Sequence, residues 1–460
     1  MKKKIGFIAM SGVRVQNAEL LAVGLTLPGF VERSEVIASL PSLSLLTLAA
    51  LTPDRFDVEY REILDLKTAD TLPEDYDLVA ITSLTAQIHE AYAVADFYRV
   101  RGLPVVMGGL HITAMPDEAL AHCTTVVVGE GEPVWPRLLD DFDHGRLRER
   151  YAASPAGRFD LATAPIPRFD LLDPDKYNRI TVQTSRGCPH KCEFCASSIL
   201  LTPHYKLKPV EKVLAEIRAI KEIWPKPFIE FADDNSFVHR AHYKSLLRAL
   251  VGEDLRWFTE TDISVAQDDE LLALMRDSGC QQVLIGLESP SRHSLEGIET
   301  NANWKARRID TYKAAIAKIQ SFGITVNGCF ILGLDGDTTD VFDDVLEFVR
   351  DAGLYEVQIT IMTAFPGTPL YSRLKAEGRL LTEHAWDLCT LFDVNHQPRH
   401  MSVEELEVGF RRLAKELYSA EETSARRRAF FKRLKTSTNR RRRGADLGVP
   451  AGLLDRQQSA

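Results

Sequence analysis

The stretch Thr184-Ser-Arg-Gly-Cys188-Pro-His-Lys-Cys192-Glu-Phe-Cys195 decides how the chain is read. Its three cysteines are spaced C-x3-C-x2-C and follow an apolar, β-branched run, Ile180-Thr-Val-Gln-Thr. Three thiolates on one short loop can hold three irons of a 4Fe-4S cluster and leave the fourth iron without a protein ligand. An open coordination position marks a catalytic rather than a structural metal site. Gly187 lets the chain turn tightly off the strand, and Pro189 stiffens the start of the loop. The competing readings are a chance cysteine cluster and a zinc site lacking its fourth ligand. Zinc sites pair two Cys or His knuckles, and the sequence has no second knuckle.

This stretch resembles the radical S-adenosylmethionine (SAM) superfamily in its spacing, in the aromatic Phe194 before the third cysteine, and in the preceding strand. The resemblance implies that Cys188, Cys192 and Cys195 are metal ligands and catalytic. It also implies that the open iron chelates SAM and reduces it to a 5′-deoxyadenosyl radical, with Phe194 beside the SAM site.

Composition bounds the rest. The chain has 460 residues, 45% of them apolar and 26% charged, the pattern of a globular protein of about three domains. A net charge of −9 argues against nucleic-acid binding by the whole chain. Seven cysteines, three of them in one loop, do not form a disulfide framework and point to a reducing compartment. Met-Lys-Lys-Lys followed by Ile5-Gly-Phe-Ile-Ala-Met is too short an apolar run for a signal peptide and reads as a first strand. No stretch reaches the roughly 18 apolar residues of a membrane span. A cytoplasmic enzyme is expected.

Residues 1–145 alternate strand-like segments (Lys4–Met10, Phe56–Ile63, Asp77–Ser83, Pro104–Gly108, Thr124–Val128) with helical ones such as Ala86–Arg101. That alternation predicts a doubly wound, Rossmann-like parallel sheet, with ligands at the carboxyl ends of its strands. The turns there, with Pro41-Ser-Leu-Ser-Leu-Leu-Thr-Leu-Ala-Ala before the second strand, resemble the cobalamin-binding domain that precedes many radical SAM enzymes. The resemblance implies a bound cobalamin and makes Ser83, Gly108 and Gly109 its candidate ligands. A D-x-H-x-x-G cobalt-ligating motif is absent, and His111 reads as a hydrogen-bonded loop histidine. Residues 146–179, carrying Pro155, Pro165, Pro167 and Pro174, read as a linker.

From Ile180 to about residue 374 the alternation restarts. Strands are predicted at Phe228–Ala232, Trp257–Asp262, Gln282–Leu287, Thr325–Leu332 and Glu356–Met362. Helices are predicted at Pro209–Trp224, Leu271–Ser278, Ala306–Phe322 and Val341–Ala352, the last three stopped by Gly279, Gly323 and Gly353. Six β/α units suggest a partial (β/α)6 barrel with its chemistry at the strand ends. The family resemblance assigns SAM contacts to those ends. Asp233 and Asp234 would face the amino group. Glu260 and Asp262, with Ser264, would face the ribose or sulfonium, and Gly286 and Glu288 the adenine. Cys280, Cys329 and Cys389 read as isolated core thiols. With Cys123 the sole cysteine before the linker, a methylthiotransferase is disfavoured.

Residues 375–425 read as helical, with helices at Glu383–Leu391 and Ser402–Tyr418, the latter opened by a Ser402/Glu405 capping box. This part resembles radical SAM proteins of the class that includes hopanoid methylases. Residues 426–460, with Arg426-Arg-Arg and Arg440-Arg-Arg-Arg443, form a strongly basic segment read as a disordered tail. The sharper option there is peripheral contact with an anionic membrane, and RNA binding ranks third.

The whole reads as a radical SAM enzyme methylating an unactivated carbon with cobalamin. It would act on a small-molecule or lipid substrate and draw electrons from a flavodoxin- or ferredoxin-type reductant. The alternatives are radical cyclisation, rearrangement or carbon–carbon coupling without methyl transfer, beside a vestigial cobalamin domain, and a non-catalytic iron–sulfur protein.

Overall fold

The computed structural model describes residues 2–12, 15–22, 40–69, 71–153, 159–196 and 204–443, with side chains described only as far as residue 435 in the last helix. Six strands build the first sheet: β1 (Lys3–Met10), β2 (Phe56–Ile63), β3 (Leu78–Ser83), β4 (Val105–Gly108), β5 (Thr125–Val128) and β6 (Arg150–Ala152). Their order is β2-β1-β3-β4-β5-β6, and every neighbour is parallel. Period-two alternation sends Ile5, Phe7 and Ala9 of β1 to one face and Ile8 and Met10 to the other, so each face has its own core. The strand order reverses between β1 and β3, the place where doubly wound sheets open a crevice at their carboxyl ends. Strand β6 lies inside the segment read as a linker, so the first domain runs past residue 145.

The second sheet begins with β7 (Ile180–Val182). The cysteine loop follows, bracketed by a short antiparallel ribbon of β8 (Ser185–Arg186) and β9 (Lys206–Leu207). Five more strands complete the sheet: β10 (Phe228–Ser236), β11 (Arg256–Thr261), β12 (Cys280–Glu288), β13 (Thr325–Leu332) and β14 (Glu356–Ile361). They pair in sequence order from β7 through β10 to β14, all parallel, giving the expected open six-stranded barrel among the described residues. Outward residues such as Val283, Ile285, Val326, Phe330 and Ile359 are buried under the helices. Gly279 turns the chain at φ +96°, where a Cβ would lie 1.9 Å from the Leu255 carbonyl oxygen.

Two expectations beyond the barrel need correction. Residues 383–391 are no α-helix but a bend around the single turn Trp386–Leu388. Trp386 and Cys389 are drawn into the core of the first sheet, and Glu118 accepts hydrogen bonds from Trp386 Nε1 (3.0 Å) and His384 Nδ1 (2.7 Å). Tertiary contacts override the local preference. The helix Val403–Leu417 does open with the Ser402/Glu405 capping box. A further helix, Ala420–Arg443, crosses the boundary expected at residue 425 and takes in the first part of the basic segment. Residues 444–460 lie outside the described residues. No described helix is long and apolar enough to cross a membrane.

The domains are joined through the cysteine loop itself. Arg186, two residues before Cys188, donates to Glu130 (2.8 Å) and Glu132 (2.7 Å) in the turn after β5. Lys206 on the neighbouring ribbon strand also donates to Glu130, at 2.7 Å. These side chains are largely covered, so removing one partner leaves charge stranded at the seam, at a cost of about 3 kcal/mol. Arg186→Ala is therefore expected to lower the thermal midpoint and to speed proteolysis within residues 146–179. An unchanged cleavage pattern and midpoint would show that the clamp contributes nothing.

Candidate functional site

Asp233 organises the cysteine loop. It is 3% exposed, and its Oδ1 accepts from the backbone N–H of Thr184 (2.7 Å) and Ser185 (2.8 Å). Its Oδ2 accepts from the Thr184 hydroxyl and from Ser236 Oγ (2.9 Å), with the Tyr243 hydroxyl 3.0 Å away. Burial pushes this carboxyl up, and the converging donors pull against it. Both Asp233 oxygens, expected to meet the SAM amino group, are taken up here by the loop and by Ser236 and Tyr243. Asp234, its neighbour on the opposite face of β10, accepts from Gly187 N (2.8 Å) and lines the central cavity.

Other contacts grip the loop from behind. Glu193 N donates to Ile298 O (2.9 Å), and Leu370 N donates to Glu193 O (3.0 Å). Arg373 binds the Glu193 carboxylate through Nη2 (2.7 Å) and Nε (3.1 Å), and Asp335 through Nη1 (2.7 Å). The Phe365-Pro-Gly-Thr-Pro-Leu-Tyr371 segment thus leads into a helix that fixes the loop's outer edge. Phe194 packs into a small apolar cluster with Leu295, Ile298 and Leu370, outside the cavity lining.

Burial pushes the Cys188 thiol up to about 11 and the Cys192 thiol up to about 12, and each interacts electrostatically with Cys195. Asn235 Nδ2 lies 3.8 Å from Cys188 Sγ, as a donor to it. Among the described residues no three His, Cys, Asp or Glu side chains converge on a single ion. Three thiols within one eight-residue loop, near enough to sense one another's charge, suit one thiolate per iron, so the donor set fits a 4Fe-4S cluster. His190 is engaged elsewhere: its Nε2 lies 3.6 Å from Asp262, and its ring packs 4.7 Å from that of Trp304.

The remaining strand-end residues divide. Glu260 is open to the cavity inside the barrel. Burial, then the carboxylates of Glu230, Asp234 and Glu288, push it up to about 8. Asp262 lies just past the end of β11 and points elsewhere. It caps the following turn through Ser264 N (2.8 Å) and accepts from Asn235 (3.0 Å). Burial opposes its ionisation, but His190, Ser264 and Asn235 overcome this and hold the carboxyl well below the usual range. Glu288, at φ +64°, forms a buried ion pair with Lys305, which also donates to Gly286 O at 2.8 Å. A Cβ on Gly286 would lie 2.5 Å from Glu288 Oε1, so this glycine makes room for the ion pair.

Across the cavity, Ser83, Gly108 and Gly109 line the carboxyl end of the first sheet. Gly109 has φ +111°, and a Cβ there would meet Thr82 Oγ1 at 2.8 Å. His111 is 1% exposed, with Nε2 on Glu118 (3.3 Å) and its ring edge-on to Trp386. One cavity of about 900 Å3 joins these residues to Asp234 and Glu260 inside the barrel. Sequence reasoning missed Arg186, Lys305, Arg373 and the inward amides Gln282, Asn327 and Gln358. The amides had a signal: each is the third residue of its strand, and Asn327 and Gln358 are polar where their neighbours are apolar. Cys280 and Cys389 are buried as expected, whereas Cys329 on β13 is partly exposed.

Glu260 yields a pH prediction. Its folded value of about 8 lies above the ordinary 4.5, so its favourable contribution is complete below about pH 4.5 and is lost as pH rises through 8. Glu260→Gln, which cannot ionise, should gain stability over the parent between pH 5 and 8.5, read as a widening gap in melting temperature. A pH-independent gap would refute the assignment.

Residues 182–349 match the radical SAM superfamily model, residues 35–139 a B12-binding domain, and residues 368–454 a domain of unknown function. The chain is 31% identical over 384 residues to bacteriochlorophyllide d C-12(1)-methyltransferase of Chlorobaculum tepidum, covering 82% of each. It is 29% identical to hopanoid C-2 methylase of Rhodopseudomonas palustris, covering 75% of this chain and 66% of that one. Its fold is similar to that of the radical SAM methyltransferase TsrM of Kitasatospora setae, solved with cobalamin and a 4Fe-4S cluster bound. There the TM-score is 0.61 at 17% identity, covering 89% of this chain and 82% of that one. The chain therefore belongs to the cobalamin-dependent radical SAM methyltransferases, enzymes that work with a 4Fe-4S cluster, S-adenosylmethionine and cobalamin.

Proposed function

We propose that the chain methylates an unactivated carbon of a bulky small molecule held in the cavity between the two domains. The observation that carries this is the shared cavity: residues at the strand ends of the first sheet and inside the barrel line the same space. When bound, the cluster with SAM supplies a 5′-deoxyadenosyl radical and methylcobalamin supplies the methyl group. Cys188, Cys192 and Cys195 would hold the cluster. Asp234 and Glu260 offer carboxylate oxygens to the cationic groups of SAM. Ser83 offers a short side chain, and Gly108 and Gly109 bare backbone, against which a corrinoid can lie. Thr390, Leu391 and Phe392 of the C-terminal segment close part of the wall and help exclude water.

Relatives named for a bacteriochlorophyllide and for a hopanoid support a large, mostly apolar substrate. Electrons would come from a flavodoxin- or ferredoxin-type donor in a reducing, cytoplasmic setting. The basic helix would add a peripheral membrane contact. It attaches where Arg427 meets Glu356 (2.9 Å) at the start of β14, the barrel end away from the cavity. Such a contact would anchor the enzyme without gating the substrate.

Anaerobic reconstitution with iron, sulfide and hydroxocobalamin tests the reading. After desalting, near-stoichiometric corrinoid is expected, together with deoxyadenosine production from SAM. Cys192→Ala should lose deoxyadenosine production while keeping the corrinoid. Cluster without corrinoid would favour radical chemistry without methyl transfer, and deoxyadenosine from the variant would sink the cluster assignment.

A further inference from the structure

Inside a (β/α) barrel, inward positions usually carry branched apolar side chains that fill the core. Here the third residues of β12, β13 and β14 are Gln282, Asn327 and Gln358, all facing inward. Their outward neighbours Val283, Val326 and Val357 are apolar and buried. On the same level, the third residues of β10 and β11 are Glu230 and Phe258, and Glu230, Phe258 and Gln282 are successive register partners. Farther round, the register steps upward, pairing Asn327 with Leu284 and Gln358 with Cys329. The result is a band of three amides climbing the inner wall, with Gln282 level with Glu230 and Asn327 level with Glu260 through Leu284.

All three amides are covered, and two of them are unsatisfied. Gln282 is 3% exposed, Asn327 1% and Gln358 9%. Asn327 Oδ1 and Gln358 Oε1 have no hydrogen-bond partner among the described residues. Buried amides without partners are rare, because desolvation without a replacement hydrogen bond is costly. All three line the same cavity as the strand-end residues. The Gln282 level carries no net charge, since Glu230 is ion-paired with Arg179. A charged group brought to this wall would meet amides, an aromatic ring, a closed ion pair and the Glu260 carboxyl, which burial holds toward its neutral form.

We propose that Gln282, Asn327 and Gln358 form a recognition subsite for an uncharged substrate group that both donates and accepts hydrogen bonds, of the amide, lactam or hydroxylated carbonyl class. Each amide offers an N–H pair and a carbonyl oxygen, and rotating it exchanges the end that faces the cavity. The substrate thus enters the barrel with a neutral polar end leading, and its apolar body remains against Leu45, Leu48 and Phe392 higher in the cavity. A purely hydrocarbon end leaves the amides unpartnered and is selected against. The inference rests on the methyl-transfer reading only in taking this cavity as the substrate site.

The test uses the reconstituted holoenzyme and two small probes. In crystals soaked with acetamide, acetamide is expected between Asn327 and Gln358. In crystals soaked with benzene, the probe is expected on the upper apolar wall. Benzene at the amides, or no acetamide there, overturns the proposal. Asn327→Leu with Gln358→Leu separates recognition from folding. The double variant is expected to lose the acetamide site and to melt at the parent temperature or above it, because hydrocarbon replaces unpartnered polar groups. A clearly lower melting temperature would make the amides structural and also overturn the proposal. Deoxyadenosine production by the parent is scored separately. Its absence would refute the enzymatic reading while leaving the probe result interpretable.

Discussion

The site depends on one buried carboxylate. Asp233 collects the backbone N–H groups of Thr184 and Ser185, and this fixes where the strand stops and the cysteine loop begins. Three thiols must stand in a set relation before a cluster can form, and a loop is a poor template without such an anchor. The anchor works because Asp233 faces away from the cavity, where Ser236 and Tyr243 complete its partners. A group of this kind shapes the chemistry without touching a reactant. Its counterpart on the outer side is Arg373, which holds the Glu193 carboxylate between the second and third cysteines.

The architecture was largely legible in the sequence, because period-two burial and glycine stops report directly on parallel strands and the helices between them. The strands from Phe228 to Ile361 lie where they were expected, within a few residues. Less legible was the direction of side chains at the strand ends. Asp233 and Asp234 were assigned to the same ligand, although adjacent strand residues face opposite ways. Asp262 falls one residue beyond the end of β11, where a short polar side chain caps the next turn instead of continuing the alternation. The pairing of Glu288 leaves no local sign, because its partner Lys305 is distant in sequence. The bend at residues 383–391 is hidden for a similar reason. Glu118, which anchors it, lies in the other domain.

The two walls of the cavity differ in chemistry. The first sheet contributes bare backbone at Gly108 and Gly109 and the small side chain of Ser83, suited to a large flat ligand that needs surface more than specific bonds. The barrel contributes carboxyls from β10 and β11 and amides from the three strands that follow, suited to charged and neutral polar groups in turn. That division runs around the barrel rather than along its axis, because register partners on neighbouring strands share a level. The C-terminal segment fills the side left open by an incomplete barrel.

The clamp at Arg186 has a consequence for how such enzymes diversify. The residue that binds Glu130 and Glu132 stands two positions from the first cluster cysteine, so the seam between the domains and the cluster loop cannot drift independently. A lineage that altered this seam would disturb its radical chemistry at the same time. Selection for new substrates is therefore channelled to places outside that linkage, chiefly the inward residues of the last three barrel strands and the segment around Thr390–Phe392. Catalytic power and substrate range can then evolve at separate addresses on one chain.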